Sequence, residues 1–387
     1  MEATTSAAPG ERVRRRFAVF DRLTYLNSCS QGALADSVRA AYETYLDELE
    51  TEGSSWDHWV ARAERARAAF ARVLHAAPDD VAVTTSASAG VSAVASALDF
   101  GERDTVVTTD LEFPTIGQIW HAQERRGAKV VHVPAEPDNT LSLERLAAAI
   151  DERTAIVSVT HVSYRNGSLL DIGEISRLAH EQGALVLVDS FQAAGAVPID
   201  VDALGVDFLA GGALKYLLAS PGVGYLYANP ATTGHLVPTA TGWFADEDIH
   251  AMQIGRYRPS RTARRFESGT PPIPPIYAAI AGAELMLEIG IERTADHVAR
   301  LNDHLIDEVV ALGGMVVTPS GRSQRGPLVA VAATDAEGLV RRLAADGIVT
   351  SSRAGNVRIS AHCYNTSADI ERLLVALRAH RELLRTP

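Results

Sequence analysis

Ala184-Leu-Val-Leu-Val-Asp189-Ser-Phe-Gln192, followed by Val206-Asp-Phe-Leu-Ala-Gly-Gly-Ala-Leu-Lys215-Tyr-Leu-Leu, decides the fold. An apolar run that ends abruptly in a carboxylate reads as a strand buried on both faces, the mark of a parallel sheet covered by helices. A second short apolar run ends in glycines, and a lone lysine follows among Ala213, Leu214, Leu217 and Leu218. Ligands of open α/β sheets bind beyond the carboxyl ends of the strands, so Asp189 and Lys215 fall on the binding edge. Taken singly, an aspartate here is ordinarily a helix cap and a lysine is ordinarily solvated. The apolar neighbours argue otherwise for Lys215, because they bury its stem and bring the amine toward the pKa of a nucleophile.

A carboxylate and a buried amine at one sheet edge suit pyridoxal phosphate: the lysine forms the Schiff base and the aspartate holds the pyridine nitrogen protonated. Asp189-x-x-Gln192, then Lys215 closely followed by Tyr216-Leu217 and Pro221-Gly222-Val-Gly224, resembles the class V branch of fold-type I pyridoxal enzymes. That branch includes cysteine desulfurases, kynureninase, cystine carbon-sulfur lyase and isopenicillin N epimerase. The resemblance runs from Tyr25-Leu-Asn-Ser to Leu373.

Composition agrees. A chain of 387 residues exceeds what one core usually serves, and its 47% of apolar residues is ample for packing. A formal charge of -12 disfavours nucleic acid and anionic membranes as partners, and no apolar run is long enough to span a bilayer. Met1 to Gly10 reads as a disordered tail, since no apolar segment of a signal peptide follows Arg12 to Arg16. Cys29 and Cys363 are the only cysteines, which points to a reducing cytoplasm and away from disulfides or a cysteine-based metal site.

Strands at Val81 to Thr85, Thr105 to Thr108, Lys129 to Val133, Ala155 to Val159 and Ala184 to Val188 alternate with helical patterns such as Ser142 to Ile150 and Ile172 to Gln182. Such alternation predicts an α/β fold with a mostly parallel, doubly wound sheet. Ser55 to Leu74 reads as a helix leading in, Pro271 to Pro275 as a hinge, and Ile276 to Ile289 as a connecting helix. The expected organisation is an N-terminal arm over 1–24, a large cofactor-binding domain over 25–270, and the connecting helix with a small α/β domain over 271–387. The N-terminal segment is expected to complete the small domain.

Thr84-Thr-Ser86-Ala-Ser88-Ala-Gly90 is a turn of small residues before the helix Val91 to Leu98, and such a turn offers backbone N–H groups to an anion. By itself it is a weak signal that an ordinary helix cap also gives. The resemblance places the Ala87 amide and Ser88 on the cofactor phosphate, and Gln192 on the cofactor's phenolic oxygen. It places Phe113, in Asp110-Leu-Glu-Phe-Pro-Thr115, on the face of the pyridine ring, where desulfurases carry histidine. It places Thr270 on the phosphate of a partner subunit, which implies a homodimer with shared active sites. Arg358, expected to start a short strand, matches the arginine that grips the substrate α-carboxylate, and Arg353 is a second candidate. A planar guanidinium forks onto a carboxylate, which fixes the orientation of the substrate α-carbon.

The chain also departs from its relatives. Gly212-Ala-Leu-Lys215 lacks the hydroxyl and imidazole that precede the lysine in desulfurases, leaving Ser190, Tyr216 or a partner residue to replace their phosphate contacts. No cysteine lies between Arg353 and Arg358, so the persulfide loop of desulfurases is absent, as in the cystine lyase. The N-terminal turn that holds Cys29 approaches the site in relatives, although a buried inert thiol is the ordinary state of such a cysteine. Gly242-Trp243-Phe244 resembles an element near the pocket wall of kynureninase, and His58, His121, His161 and His362 show no metal-ligand spacing. The expected activity is that of a lyase in which Lys215 removes the Cα proton and a side-chain group departs. An aminotransferase or epimerase of the same fold is the alternative, and a non-catalytic binding protein is a remoter one.

Overall fold

The computed structural model describes residues 9–387, so most of the N-terminal tail expected over Met1 to Gly10 lies outside the described residues. The strands are β1 (Thr24–Tyr25), β2 (Val81–Thr84), β3 (Thr105–Thr109), β4 (Lys129–Val133), β5 (Thr154–Thr160), β6 (Leu185–Asp189), β7 (Phe208–Gly212), β8 (Gly224–Ala228), β9 (Leu328–Ala332), β10 (Ile348–Val349), β11 (Ser351–Arg353) and β12 (Asn356–Ser360). Seven of them form one sheet in the order β2-β8-β7-β6-β5-β3-β4. All neighbours pair in parallel except at β8, which runs antiparallel to both β2 and β7. The reversal follows from Pro221-Gly222, where Gly222 takes φ 100° and turns the chain straight back beside β7.

β5, β7 and β8 are buried along their whole length, and helices cover both faces of the sheet. One core gathers Phe70, Val107, Val157, Val186 and Leu209, and the opposite one gathers Val91, Ile116, Trp120, Ile156 and Leu187. The helix Ile273–Ile289, read from sequence as a connecting helix over Ile276 to Ile289, adds its buried residues to the first of these cores. Pro274 and Pro275 do not make a hinge. They lie in the first turn of that helix, where a missing N–H costs nothing.

The second sheet, β11-β12-β9, is antiparallel and packs its own core of Leu305, Val329, Leu343, Val357 and Leu373 against three helices. The N-terminal segment joins it: β1 pairs with β10 in parallel, and Arg14 meets Asp369 at 2.7 Å. Arg358 stands in the middle of β12 and does not start it, because pairing with β9 already begins at Asn356. No single helix among the described residues is long and apolar enough to cross a membrane.

Candidate active site

The carboxyl ends of β5, β6 and β7 meet the start of the helix Ala87–Ala97 around a cavity of about 210 Å3. The helix is capped from within: Ser86 Oγ accepts from the Ala89 amide at 3.1 Å. That leaves the Ala87 and Ser88 amides, at the positive end of the helix, without an acceptor among the described residues. Gly224 of β8 lies against this helix start, and a Cβ there would sit 2.8 Å from the Ser86 carbonyl carbon and 2.9 Å from the Ala87 nitrogen.

Asp189 closes β6 and is buried, with one hydrogen bond, from the Phe191 amide to Oδ1 at 2.9 Å. Burial pushes its carboxyl up, against the pull of the Phe191 amide and the Lys215 charge. Lys215 follows β7 in a tight turn. Its Nζ lies 4.4 Å from the Phe191 ring centroid and 5.9 Å from that of Phe113. Burial brings its pKa from 10.5 down to about 8, with Asp189 opposing the shift. The chain has only one other lysine, Lys129, which is exposed and paired with Asp104 at 2.9 Å.

Gln192 donates from Nε2 to the Cys29 carbonyl at 3.1 Å, which leaves its buried Oε1 unpartnered on the cavity wall. Phe113 and Phe191 line the same cavity. Arg358 is buried without an acidic partner among the described residues. Nη1 donates to the Tyr164 carbonyl at 3.0 Å, Nη2 to Ser30 Oγ at 3.1 Å and Ser351 Oγ at 2.9 Å, and Nε has no partner. A buried guanidinium bonded only to neutral groups keeps an uncompensated charge and is suited to receive an anion. Arg353 is exposed at the tip of the β11–β12 hairpin, close enough for its charge to bear on Lys215.

Other residues lie elsewhere. Thr270 is exposed and lines a separate groove with Thr84, Ser92 and Phe266. Ser190, offered as a phosphate contact, turns into the core, donating to the Ala210 carbonyl at 3.0 Å beside Tyr225. Tyr216 is fully buried with Cys29 and Leu328, and so is no phosphate contact within its own chain's cavity. Ser190 points away because it directly follows Asp189 at the end of β6 and keeps the alternation of the pleat, whereas Tyr216 is turned inward by the tight turn after β7. Trp243 packs edge-on to Trp56 and Phe244, outside the cavity. His58 meets Glu52, and His121 meets Glu124 and His132. His161 and His362 are buried, and burial takes them down to about 4 and about 3. Cys363 is buried against Met286, while the Cys29 thiol lies 3.9 Å from Ser351 Oγ.

Sequence reasoning missed four residues. Phe191 and Tyr164 line the cavity, the latter edge-on to Phe113 at 5.0 Å. Thr160, in register with Asp189, also lines it. Behind these, buried Glu112 accepts from Thr109 Oγ1 at 2.8 Å and the Thr160 amide at 2.7 Å through one oxygen, while the other oxygen has no partner. Burial and the nearby Asp189 push Glu112 up to about 8. A carboxyl between Leu111 and Phe113 was the available signal.

The unpartnered groups fit pyridoxal phosphate. Free amides at a helix start suit its phosphate, a buried carboxylate its protonated ring nitrogen, the Gln192 oxygen a hydroxyl, and the Lys215 amine its aldehyde.

The profile of the aminotransferase class-V family matches residues 24–373. The chain is 34% identical to the "uncharacterized aminotransferase YcbU" of Bacillus subtilis (strain 168), with 93% of this chain and 95% of the relative covered. It is 28% identical to kynureninase of Pseudomonas fluorescens, over 91% and 86%. Among solved structures, an apo cysteine desulfurase from Thermococcus onnurineus NA1 superposes with a TM-score of 0.87, at 22% identity over 96% of this chain and 97% of that one. These likenesses coincide with the cavity chemistry: the chain belongs to the aminotransferase class-V family of fold-type I, pyridoxal phosphate-dependent enzymes.

Proposed function

We propose that the enzyme is a lyase that removes the Cα proton of an amino acid with Lys215 and then loses a group from the substrate side chain. The observation that carries this reading is the Lys215 amine, buried beside Asp189 with its pKa down to about 8, so that it is both nucleophile and base near neutral pH. The cofactor supplies an electron sink for the bond broken at Cα. The Ala87 and Ser88 amides would hold its phosphate, Asp189 its ring nitrogen, Gln192 its hydroxyl, and Phe113 and Phe191 its ring. Arg358 would grip the α-carboxylate through the N–H groups that its neutral partners leave free, Nε among them, fixing which Cα bond Lys215 can reach. Neither phenyl ring moves protons, so that work falls to Lys215 or to another side chain of the site.

Two observations support a lyase without a persulfide step. Arg353-Ala354-Gly355-Asn356 closes a tight hairpin with φ 49° and 78° at its centre, too short for a mobile thiol loop. The two cysteines are both buried, Cys363 against Met286. Thr270, exposed outside its own cavity, supports a homodimer in which it serves the partner's site, and the two free cysteines are in keeping with the cytoplasm. The test is incubation with an amino-acid panel and no keto acid. Continuous release of keto acid and ammonia is expected. A single half-turnover that restarts on adding keto acid would identify an aminotransferase, and loss of Cα configuration without net product an epimerase.

A further inference from the structure

Tyr164 separates two guanidinium groups. Its carbonyl accepts from buried Arg358, while its hydroxyl accepts from Arg165 Nε at 3.1 Å. The phenol ring lines the cavity and leans edge-on against Phe113 at 5.0 Å. Arg165 is exposed yet folded back, its Cζ 5.6 Å from the Tyr164 ring centroid. Among the described residues no acid pairs with Arg165, Arg358 or Arg353, although the chain as a whole carries a charge of -12. The Nη groups of Arg165 thus have no acid to neutralise them among the described residues, and Arg165 is held at the hydroxyl of a tyrosine that lines the cavity, the same tyrosine whose carbonyl meets the arginine that suits an α-carboxylate.

We infer that Tyr164 and Arg165 form the side-chain subsite, and that the substrate is an amino acid whose side chain carries a second anionic group, a carboxylate or an acid of similar shape. The phenol supplies an apolar wall for the intervening carbons and holds the Arg165 guanidinium where it meets the distal acid. The planar fork of Arg165 favours a carboxylate over a neutral amide or hydroxyl. This inference rests on the proposed reading of the cavity as an amino-acid site.

The test uses holoenzyme and two unreactive acids, glutarate and butyrate, titrated by calorimetry and by the change in cofactor absorbance. Glutarate is expected to bind about tenfold more tightly than butyrate, the scale of one charge-assisted contact at a partly exposed site. Any positive cavity favours a dianion, so the variants decide. Arg165→Gln should bring the ratio close to one, and Tyr164→Phe, which keeps the wall but frees the guanidinium, should lower it partway. Equal affinity for the two acids, or a preference that survives Arg165→Gln, overturns the inference while leaving the cofactor site standing. Failure of the cofactor to attach at Lys215 overturns both.

Discussion

The Lys215 ammonium lies 4.4 Å from the Phe191 ring centroid, a cation–π distance, yet the amine is easier to deprotonate than an ordinary lysine. Ring attraction favours the charged form by roughly 0.5–2 kcal/mol, and burial outweighs it. The neutral amine attacks an aldehyde, so the rate at which apoenzyme captures pyridoxal phosphate should rise with pH and reach half its plateau near 8. In Phe191→Ala, which admits water, that midpoint should move toward 10.5. Stopped-flow absorbance measures both, and an unchanged midpoint counts against burial as the cause.

Asp189→Asn should retain the fold and lose most turnover, because the amide no longer keeps a ring nitrogen protonated. A carboxyl pushed up by burial costs the apoenzyme stability at neutral pH, so this variant should also melt at or above the wild-type temperature without cofactor. A lower apoenzyme Tm would contradict the account of Asp189 as a charge lacking its partner.

Glu112 titrates near 8 when folded against an ordinary 4.5, so the folded chain binds the proton more tightly. Its contribution is fully present below about 4.5 and is lost as pH rises to about 8. Relative to Glu112→Gln, which keeps the accepting oxygen for Thr109 and Thr160, wild-type apoenzyme should lose up to ~1.4 kcal/mol of stability per pH unit across that window. Parallel urea-denaturation curves for the two proteins over that range would contradict it.

Gly224→Ala should loosen the cofactor without touching it. A Cβ there meets the backbone where Ser86 joins Ala87, and backbone cannot swing aside as a side chain can. Faster cofactor loss on dialysis is expected, and retention equal to wild type contradicts the place assigned to this helix start.

Arg358→Lys keeps the charge and loses the fork. The Michaelis constant for amino acids should rise about ten- to a hundredfold, while an amine lacking the α-carboxylate is handled alike by both proteins. Unchanged amino-acid kinetics would make Arg358 structural and move attention to Arg353.

The central strands were legible because β6 is apolar up to Asp189 and β5 is mostly apolar, both end in polar residues, and a strand end in an α/β sheet is already a location. Asp189, Lys215, Gln192 and Phe113 therefore fell on one cavity. What sequence did not show depends on direction and convergence. β8 reads like any buried strand, and only the turn at Gly222 reverses it. Tyr164 and Arg358 are 194 residues apart and meet through a carbonyl, which no residue type announces. Ser190 and Tyr216 were hydroxyls near the right motifs whose side chains the backbone aims into the core.

The most direct measurement is a mass map after borohydride reduction of the purified holoenzyme. With two lysines in the chain, one exposed and paired with Asp104, attachment to a lysine has only two addresses. The account predicts visible absorbance that vanishes on reduction, the added cofactor mass on the Lys215 peptide alone, and neither signal in Lys215→Ala. Cofactor mass on the Lys129 peptide, or unchanged absorbance in Lys215→Ala, would contradict it.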